Sequence, residues 1–198
     1  MPSSEGSMRD RILRVALELF TEQGYDGTSL REIAERLNVT KAALYYHFKS
    51  KEALLLSLME ELKESIDALV DWAREQEFSA EFQAEILERL ADLFYGDASR
   101  IVRLLQENQP VIRSIAAEKQ GIGGPKPGEW VFQILDLLTP ADADLYQRTR
   151  IRTALMAIVF GSFASRRLDG TGPEVSPEEH KKVSLAVARE LLDGQLGQ

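Results

Sequence analysis

The sequence predicts an all-α protein with an N-terminal three-helix domain containing a helix-turn-helix, followed by a larger C-terminal helical domain. Three observations support this prediction. Apolar residues recur at spacings of three and four along most of the chain, which is typical of helices packed on one face. Residues 28–51 carry the capping and turn residues of two short helices in tandem. Glycine and proline cluster in a few short segments, notably 121–128 and 170–176.

The first predicted helix runs from about Met8 to Gln23 and ends at Gly24, a residue type common just past helix ends. Its apolar residues share one face, which we expect to pack against the helix-turn-helix. They are Ile12, Val15, Ala16, Leu19 and Phe20. The polar residues 1–7 lack the apolar core of a signal peptide, and we expect them to form a flexible arm.

Capping and turn residues define the next two helices. Ser29, followed three residues later by Glu32, matches the capping box that starts a helix. Asn38 tolerates the left-handed backbone conformation that a tight turn requires. Thr40 can cap the second helix through its hydroxyl. The spacing therefore predicts a helix, a tight turn and a second helix within about 24 residues.

The second of these helices has one apolar face and one polar, aromatic and basic face. Leu44 and Phe48, four residues apart, should point to the core. The outward residues are then Thr40, Lys41, Ala42, Tyr45, Tyr46 and His47. Such groups suit base edges and phosphates, and a helix-turn-helix places its second helix in the DNA major groove. The alternative is an ordinary helix pair in which Tyr45 or Tyr46 belongs to the core.

The region from about Arg9 to Leu55 resembles the N-terminal signature of the tetracycline-repressor (TetR) family. The matching motifs stand at fixed spacings. They are Arg11-Ile12-Leu13, Ala16, Leu19-Phe20, Gly24-Tyr25, Thr28-Ser29, Ile33-Ala34, Val39, Leu44-Tyr45-Tyr46-His47-Phe48 and Lys51-Glu52-Ala53-Leu54. Many members of that family have glycine where this chain has Asn38, which can adopt the same turn.

The resemblance implies a homodimeric transcriptional regulator, usually a repressor, that binds a palindromic DNA operator and is released by a small-molecule effector. It also implies which residues contact DNA, either at bases or at the phosphate backbone. They are Thr28, Thr40, Lys41, Ala42, Tyr45, Tyr46, His47 and Lys51. We expect residues 1–52 to form the helix-turn-helix DNA-binding domain and residues 53–198 the helical effector-binding and dimerisation domain.

The charge of the chain is unevenly distributed. The net charge is −8, yet residues 1–50 contain seven basic and seven acidic residues. The excess of acid therefore lies in residues 51–198, where it disfavours unspecific docking of that part on DNA. The absence of cysteine excludes disulfides and thiolate metal sites. No apolar run approaches the roughly 20 residues needed to span a bilayer. We expect a cytoplasmic protein without a cofactor or metal.

The rest of the chain predicts further helices separated by polar or glycine-rich breaks. A long helix capped by Ser50 should run to about Arg74. The later helices are predicted at Ser79–Tyr95, Ser99–Asn108, Val111–Lys119, Glu129–Leu138, Pro140–Leu168 and Pro177–Gly194. Pro110 interrupts the pattern between two of them. The glycine-rich segment 121–128 lacks the Gly-Lys-Ser/Thr ending of a phosphate loop, and we expect it to be a connector.

The last two predicted helices are candidates for a homodimer interface. The Pro140–Leu168 helix is apolar nearly all round, a pattern typical of a helix buried on both sides. The Pro177–Gly194 helix has one apolar face. Together the two helices predict a four-helix interface across a two-fold axis. The alternative is an internal core within one chain.

An effector cavity is expected between the predicted helices Ser79–Tyr95, Ser99–Asn108 and Glu129–Leu138 and the first half of the Pro140–Leu168 helix. Binding pockets are mostly apolar with few polar groups, so the sequence cannot separate pocket lining from core. The candidate lining residues are Phe82, Phe94, Arg103, Leu104, Asn108, Trp130, Met156 and Phe160. They predict an apolar or aromatic effector.

Two other classes of protein are alternatives to this interpretation. An enzyme built on a helical bundle is poorly supported, because the two histidines, His47 and His180, lack the Glu-x-x-His spacing of a di-iron site. A metal at His180 with the neighbouring Glu178 and Glu179 is a further alternative. The third class is a DNA-binding protein that responds to no effector.

Overall fold

The computed structural model describes residues 7–96, 98–119, 129–164 and 175–193. Within these ranges the chain forms ten helices and no strand, which confirms the predicted all-α class. The helices are α1 (Met8–Gln23), α2 (Leu30–Arg36), α3 (Lys41–His47), α4 (Lys51–Arg74), α5 (Ala80–Tyr95), α6 (Ser99–Glu107), α7 (Gln109–Lys119), α8 (Glu129–Leu138), α9 (Leu145–Ala164) and α10 (Pro177–Asp193).

Most predicted helix limits agree with the structure. The limits of α1, α4 and α8 match the predicted ones to the residue. The arm predicted for residues 1–7 lies outside the described residues except for Ser7. That residue caps α1, with its hydroxyl accepting a hydrogen bond from the Asp10 backbone N–H. The segment 121–128 and most of 170–176 also lie outside the described residues.

The start of α9 differs from the predicted one. The sequence predicts a helix from Pro140, whereas α9 begins at Leu145. Asp144 caps it: its carboxylate accepts a bond from the Gln147 N–H at 2.7 Å, and the Gln147 side chain accepts one from the Asp144 N–H at 3.0 Å. This reciprocal pair is a capping box that uses Asp and Gln. Residues beyond Ala164 lie outside the described part of the chain.

Pro110 stands inside a helix rather than between two. Helix α7 begins at Gln109, so that Pro110 occupies the first turn. A proline is tolerated there because the first N–H groups of a helix have no intrahelical acceptor. The side chain of Asn108 donates to the Leu104 carbonyl at 2.8 Å, which satisfies an acceptor at the end of α6.

The chain divides into two compact units. The first comprises residues 1–63 and 100–124, and the second comprises residues 64–99 and 125–198. The expected boundary between residues 52 and 53 is a division by role and stays a proposal. By packing, α6 and α7 group with the helix-turn-helix, and the division falls within α4.

The first unit has one apolar core formed by α1 to α4 together with α6 and α7. Its buried residues are Ile12, Leu13, Ala16, Leu19, Phe20, Tyr25, Leu30, Ile33, Ala34, Leu37, Leu44, Phe48, Leu54, Leu55, Leu58, Ile101, Leu104 and Ile115. Burial of Leu44 and Phe48 confirms the predicted inner face of α3. Ile101, Leu104 and Ile115 extend this core beyond the expected 52-residue domain.

The second unit is organised around the pairing of α9 with α10 and the packing of α5 against both. Gly161 permits their close approach, because a Cβ there would collide with the hydroxyls of Tyr95 and Ser184. Those hydroxyls form a hydrogen bond of 2.7 Å between α5 and α10. Ion pairs of Lys181 with Asp92 and of Arg189 with Glu88 join the same helices. None of the described helices is long and apolar enough to cross a membrane.

Candidate nucleic-acid interface

The start of α2 is fixed by a complete capping box. The Ser29 hydroxyl accepts a bond from the Glu32 N–H at 3.2 Å, and the Glu32 carboxylate accepts one from the Ser29 N–H at 2.7 Å. Bonds from Ser29, chiefly that of its side chain, hold the pKa of Glu32 below its usual value. The cap predicted from Ser29 and Glu32 is confirmed.

The turn between α2 and α3 closes around Asn38. Its φ of 54° is the left-handed conformation predicted for this position. The N–H of Val39 donates to the Ala34 carbonyl at 3.0 Å, a bond that ends α2 as glycine-type caps do. The Thr40 hydroxyl then accepts a bond from the Ala43 N–H at 3.1 Å and starts α3. The turn therefore fixes the direction in which α3 leaves α2.

The outward face of α3 carries the predicted polar and aromatic residues. Thr40, Lys41, Ala42, Tyr46 and His47 are all exposed. Tyr46 is the extreme case, with 79% of its surface accessible, and its ring meets His47 edge-on at 5.2 Å. A phenol and an imidazole with their polar atoms in solvent can each bond a phosphate or a base edge.

Tyr45 behaves differently from Tyr46. It is half-buried and packs against the apolar core of the first unit. The ammonium group of Lys41 lies over its ring, 5.3 Å from the centroid. The Tyr45 carbonyl accepts a bond of 2.6 Å from Lys49. Of the two tyrosines, Tyr45 is thus the one that belongs partly to the core.

Thr28 does not join the exposed set. Only 2% of its surface is accessible, and its hydroxyl donates to the Gly24 carbonyl at 2.8 Å. Burial and this internal bond argue against the expected DNA contact by the Thr28 side chain. The hydroxyl instead holds the loop between α1 and α2 closed ahead of the Ser29 cap.

Lys51, expected at the DNA backbone, makes internal contacts at the start of α4. Its ammonium donates to the Tyr25 carbonyl at 2.7 Å and lies 4.5 Å from the centroid of the Tyr25 ring. A longer contact of 3.5 Å reaches the Asp26 carbonyl. The side chain is half-buried rather than sequestered. Lys51 therefore ties α4 to the loop between α1 and α2, and the third donor of the ammonium remains for another acceptor.

Tyr25 is the buried partner in this tie. Burial, followed by the nearby charges of Glu52 and Asp26, raises the pKa of Tyr25 to about 12. Its hydroxyl has no hydrogen-bond partner among the described residues. The ring also packs against Phe20, with 5.1 Å between the centroids.

The surface around α3 has a local charge opposite to that of the whole chain. Residues 36–51 contain no Asp or Glu but include Arg36, Lys41, Lys49 and Lys51. Like α3 itself, this run has no acidic residue that would repel a polyanion. The neutral total for residues 1–50 therefore conceals an acid-free segment centred on the exposed helix.

The predicted effector-lining residues are divided between the two units. Arg103, Leu104 and Asn108 lie in the first unit, where Leu104 is part of the core. The other five lie in the second unit. Among them the structure brings together Phe94 and Trp130, whose ring centroids are 5.5 Å apart. The set stays a prediction, and the structure does not assemble it within one unit.

Phe160 is exposed to solvent and does not line an interior. It is 58% accessible on α9, and Val183 and Val187 of α10 are also exposed. We call Phe160, Val183 and Val187 the α9–α10 face. The composition of α9 predicts a helix that is buried on both sides. Within the single chain, the side of α9 that carries Phe160 is exposed instead.

Arg150 fixes the two helices that carry this face. Its Nε donates to the Leu191 carbonyl at 2.6 Å and its Nη2 donates to the Leu192 carbonyl at 2.7 Å. These carbonyls belong to the last turn of α10, where a helix lacks internal donors and favours positive charge. Arg150 thus binds the end of α10 to α9.

The sequence-based prediction missed the structural contacts of two further residues of the first unit, Arg9 and Lys49. Arg9 donates to the Ser57 hydroxyl at 2.8 Å and lies 5.3 Å from the Phe48 ring centroid, so that it connects α1 with α4 and the end of α3. Lys49 caps α3 through the Tyr45 carbonyl. A basic residue just past a helix end is a recognisable signal for Lys49, whereas Arg9 pairs with a residue 48 positions away.

Comparison with known proteins agrees with this geometry. Residues 12–58 match the family model described as bacterial regulatory proteins, tetR family. Over 47 residues the chain is 53% identical to the biofilm operon icaADBC HTH-type negative transcriptional regulator IcaR of Staphylococcus aureus (strain Newman). The match covers 24% of this chain, which spans only a quarter (25%) of that relative's length.

Solved structures extend the likeness beyond the first helices. The TetR family transcriptional regulator PfmR from Thermus thermophilus aligns over 96% of this chain and 100% of its own, with 26% identity and a TM-score of 0.67. The transcriptional regulator FadR from Bacillus subtilis, in complex with stearoyl-CoA, aligns over 93% of this chain and 98% of its own. With 18% identity and a TM-score of 0.60, the likeness to FadR concerns the fold.

Proposed function

We propose that this chain is a DNA-binding transcriptional repressor of the TetR family that acts in the cytoplasm as a homodimer. The observation that carries the proposal is the outward face of α3. Lys41, Tyr46 and His47 are exposed there, within a segment free of acidic residues. IcaR, which is 53% identical over 47 residues in this region, is a negative transcriptional regulator.

The face of α3 suits both parts of DNA recognition. In a helix-turn-helix the second helix enters the major groove, and its exposed side chains read base edges. Lys41 and Ala42, in the first turn of α3, are proposed to meet the bases, where an ammonium suits guanine and a methyl group suits thymine. Tyr46, His47 and the remaining donor of Lys51 are proposed to hold phosphates.

Dimerisation supports the recognition of a palindromic operator. Two recognition helices spaced about 34–36 Å apart, or a multiple of that distance, meet successive major grooves on one side of DNA. The proposed dimer contact is the α9–α10 face, since apolar side chains with this exposure gain free energy when a second copy covers them. The C-terminal helices would then form the four-helix interface predicted from the sequence.

A small-molecule effector is proposed to lower the affinity for DNA. An effector acts only through a difference in its affinity for the two states of the dimer. The fold of FadR, which holds stearoyl-CoA, is compatible with such a ligand. The adjoining rings of Phe94 and Trp130 support an apolar or aromatic compound.

The proposal is tested by incubating fragmented genomic DNA with the purified protein and sequencing the retained fragments. We expect enrichment of an inverted repeat. The matched control is the double variant Lys41→Ala and Tyr46→Ala, which alters two exposed side chains. It should retain the fold, as measured by circular dichroism, and lose the enrichment.

Two outcomes would count against the proposal. Absence of enrichment at low salt would mean that α3 does not read DNA unaided. Equal enrichment by the double variant would place DNA binding elsewhere on the molecule. If an operator is found, compounds that raise the melting temperature are then assayed for release of the DNA. An operator complex that no such compound releases would favour a repressor without an effector.

A further inference from the structure

The pairing of Lys41 with Tyr45 assigns different roles to the two tyrosines of α3. Lys41 is the first residue of α3, and Tyr45 follows four positions later on the same side of the helix. The Lys41 ammonium lies 5.3 Å from the centroid of the Tyr45 ring. This distance is within the range of a cation–π interaction, in which the negative face of the ring attracts the cation.

Lys41 lies at the N-terminus of α3, which is the least favourable end of a helix for a cation. The N-terminus of a helix carries a partial positive charge, so an ammonium group there is repelled by the backbone. The first turn of α3 contains no acidic residue to offset this repulsion. The Tyr45 ring supplies the nearby negative surface and draws the ammonium along the helix, away from its positive end.

Tyr45 is itself held in place by the rest of the first unit. Its ring packs against the apolar core, while the residue's carbonyl accepts the 2.6 Å bond from Lys49. A half-buried ring with one side on the core is not free to swing into a DNA groove. The fully exposed Tyr46, by contrast, has no such restraint from burial.

We propose that Tyr45 is a positioning residue that orients Lys41 toward one base pair of each half-site and makes no base contact of its own. The inference rests on the proposed function and specifies how the same surface attains sequence preference. A lysine has many rotamers, and restricting them before binding removes part of the entropy cost of forming the contact. The Tyr45 ring performs this restriction for Lys41.

The experiment measures base preference at each operator position for the full chain bound to a pool of randomised half-sites. Tyr45→Phe keeps the ring and removes the hydroxyl. Tyr45→Leu keeps apolar bulk and removes the ring. Lys41→Gln removes the cation, and the double variant combines Lys41→Gln with Tyr45→Leu.

If Tyr45 acts through Lys41, Tyr45→Phe keeps the wild-type profile. Tyr45→Leu should then lose about two- to five-fold of the preference at the position that Lys41→Gln affects. The double variant should match Lys41→Gln alone, since the two residues act as one unit. Tyr46→Leu serves as the contrast, because loss of a phosphate contact weakens all sequences about equally.

Three results would overturn the inference. Tyr45→Leu could change the preference at a different position, which would indicate a direct contact by Tyr45. Tyr45→Phe could behave like Tyr45→Leu, which would assign the role to the hydroxyl. The double variant could lose as much preference as the two single variants together, which would mean that Tyr45 and Lys41 act independently. A wild-type protein that selects no sequence would instead overturn the proposed function, and the inference with it.

A second substitution guards against loss of folding in Tyr45→Leu. Trifluorophenylalanine at position 45 has nearly the shape of phenylalanine but a much weaker negative ring face. We expect it to reproduce the loss of about two- to five-fold at the Lys41 position without lowering the melting temperature. A profile unchanged from Tyr45→Phe would refute the cation–π contact as the source of positioning.

Discussion

The two exposed surfaces of this protein differ in what they require from a partner. The outward face of α3 presents an ammonium, a phenol and an imidazole, which water can solvate in the free protein. The α9–α10 face presents the apolar side chains of Phe160, Val183 and Val187, which water does not solvate favourably. The outward face of α3 is therefore stable in water until it binds a polyanion, whereas burial of the α9–α10 face against another apolar surface would lower the free energy.

The difference also concerns how each surface is held. Helix α3 has only seven residues, too few for a stable isolated helix, and depends on Thr40, Lys49 and its buried Leu44 and Phe48. Helices α9 and α10 are long and are fixed to each other by Arg150 and through α5. The comparison predicts that charge matters most at α3 and apolar area at α9 and α10.

The largest effect is expected from Phe160→Glu. In the proposed dimer, the two copies of Phe160 would lose about 1.5–3 kcal/mol of burial each, and the new charges would be desolvated in the interface. The dimer dissociation constant should rise about 100-fold or more, as measured by analytical ultracentrifugation. Phe132→Glu is the matched control, since Phe132 is an exposed phenylalanine of α8 outside the α9–α10 face. Equal dimerisation of both variants would remove Phe160 from the interface.

The next largest effect is expected from Tyr46→Ala. Loss of one hydrogen bond from the phenol to a charged phosphate in each protomer of the proposed dimer, about 1–1.5 kcal/mol apiece at this water-exposed site, should weaken operator binding about 30- to 150-fold. The dependence of affinity on salt should stay unchanged, because a phenol displaces no counterion. Fluorescence anisotropy at several salt concentrations measures both quantities.

Tyr146→Ala is the control for Tyr46→Ala, since Tyr146 is likewise exposed but lies on α9. Its operator affinity should equal that of the wild type. If both tyrosine variants bind alike, the exposure of Tyr46 has no role in DNA recognition. In that case the polar and aromatic composition of the α3 surface would not indicate a role for Tyr46 in binding DNA.

The local structure around α3 was predictable because its signals are short-range. Ser29 with Glu32, Asn38 and Thr40 each act within four residues, and the structure confirms all three. The same kind of signal, Asp144 with Gln147, marks the start of α9 and shows why the apolar pattern alone misplaced it at Pro140. Apolar periodicity identifies a helix, but capping residues set its limits.

The contacts that the sequence did not predict join residues far apart in the chain. Lys51 reaches the carbonyl of Tyr25, 26 positions earlier, and Arg150 reaches that of Leu191, 41 positions later. Nothing in the local pattern distinguishes these basic residues from exposed ones. The same limit applies to Leu104, where core and cavity lining have the same composition and only packing tells them apart.

A smaller effect is expected from Lys51→Met, which separates the two roles of this residue. Loss of the ammonium–carbonyl tie to Tyr25 should lower the free energy of unfolding by about 1–2 kcal/mol in urea titrations. Lys41→Met is the control, because the exposed Lys41 should affect the salt dependence of DNA binding but not stability. A Lys51→Met protein as stable as the wild type would show that the tie contributes little and leave only the phosphate role.

The smallest effect on stability is expected only at alkaline pH. It is tested by comparing a buried tyrosine, Tyr25, with an exposed tyrosine of the same unit, Tyr46. The folded-state pKa of Tyr25 is raised from 10.0 to about 12, chiefly by burial. A group with a raised folded pKa contributes stability that is complete below its unfolded pKa and is lost as the pH rises through the folded value. The wild type should therefore lose stability between about pH 10 and pH 12.

Tyr25→Phe should reduce this alkaline loss, since phenylalanine does not ionise. Tyr46→Phe is the control and should show the wild-type profile, because it removes a hydroxyl from the exposed surface of α3 and leaves the buried Tyr25 in place. Urea titrations at intervals from about pH 8 to pH 11.5 measure the difference, and lysine deprotonation cancels between the two variants. Identical profiles would mean that Tyr25 ionises without unfolding the first unit. If only Tyr25→Phe reduces the loss of stability at alkaline pH, then ionisation of the buried Tyr25 is a cause of that loss. The exposed Tyr46 of α3 would then contribute nothing to it.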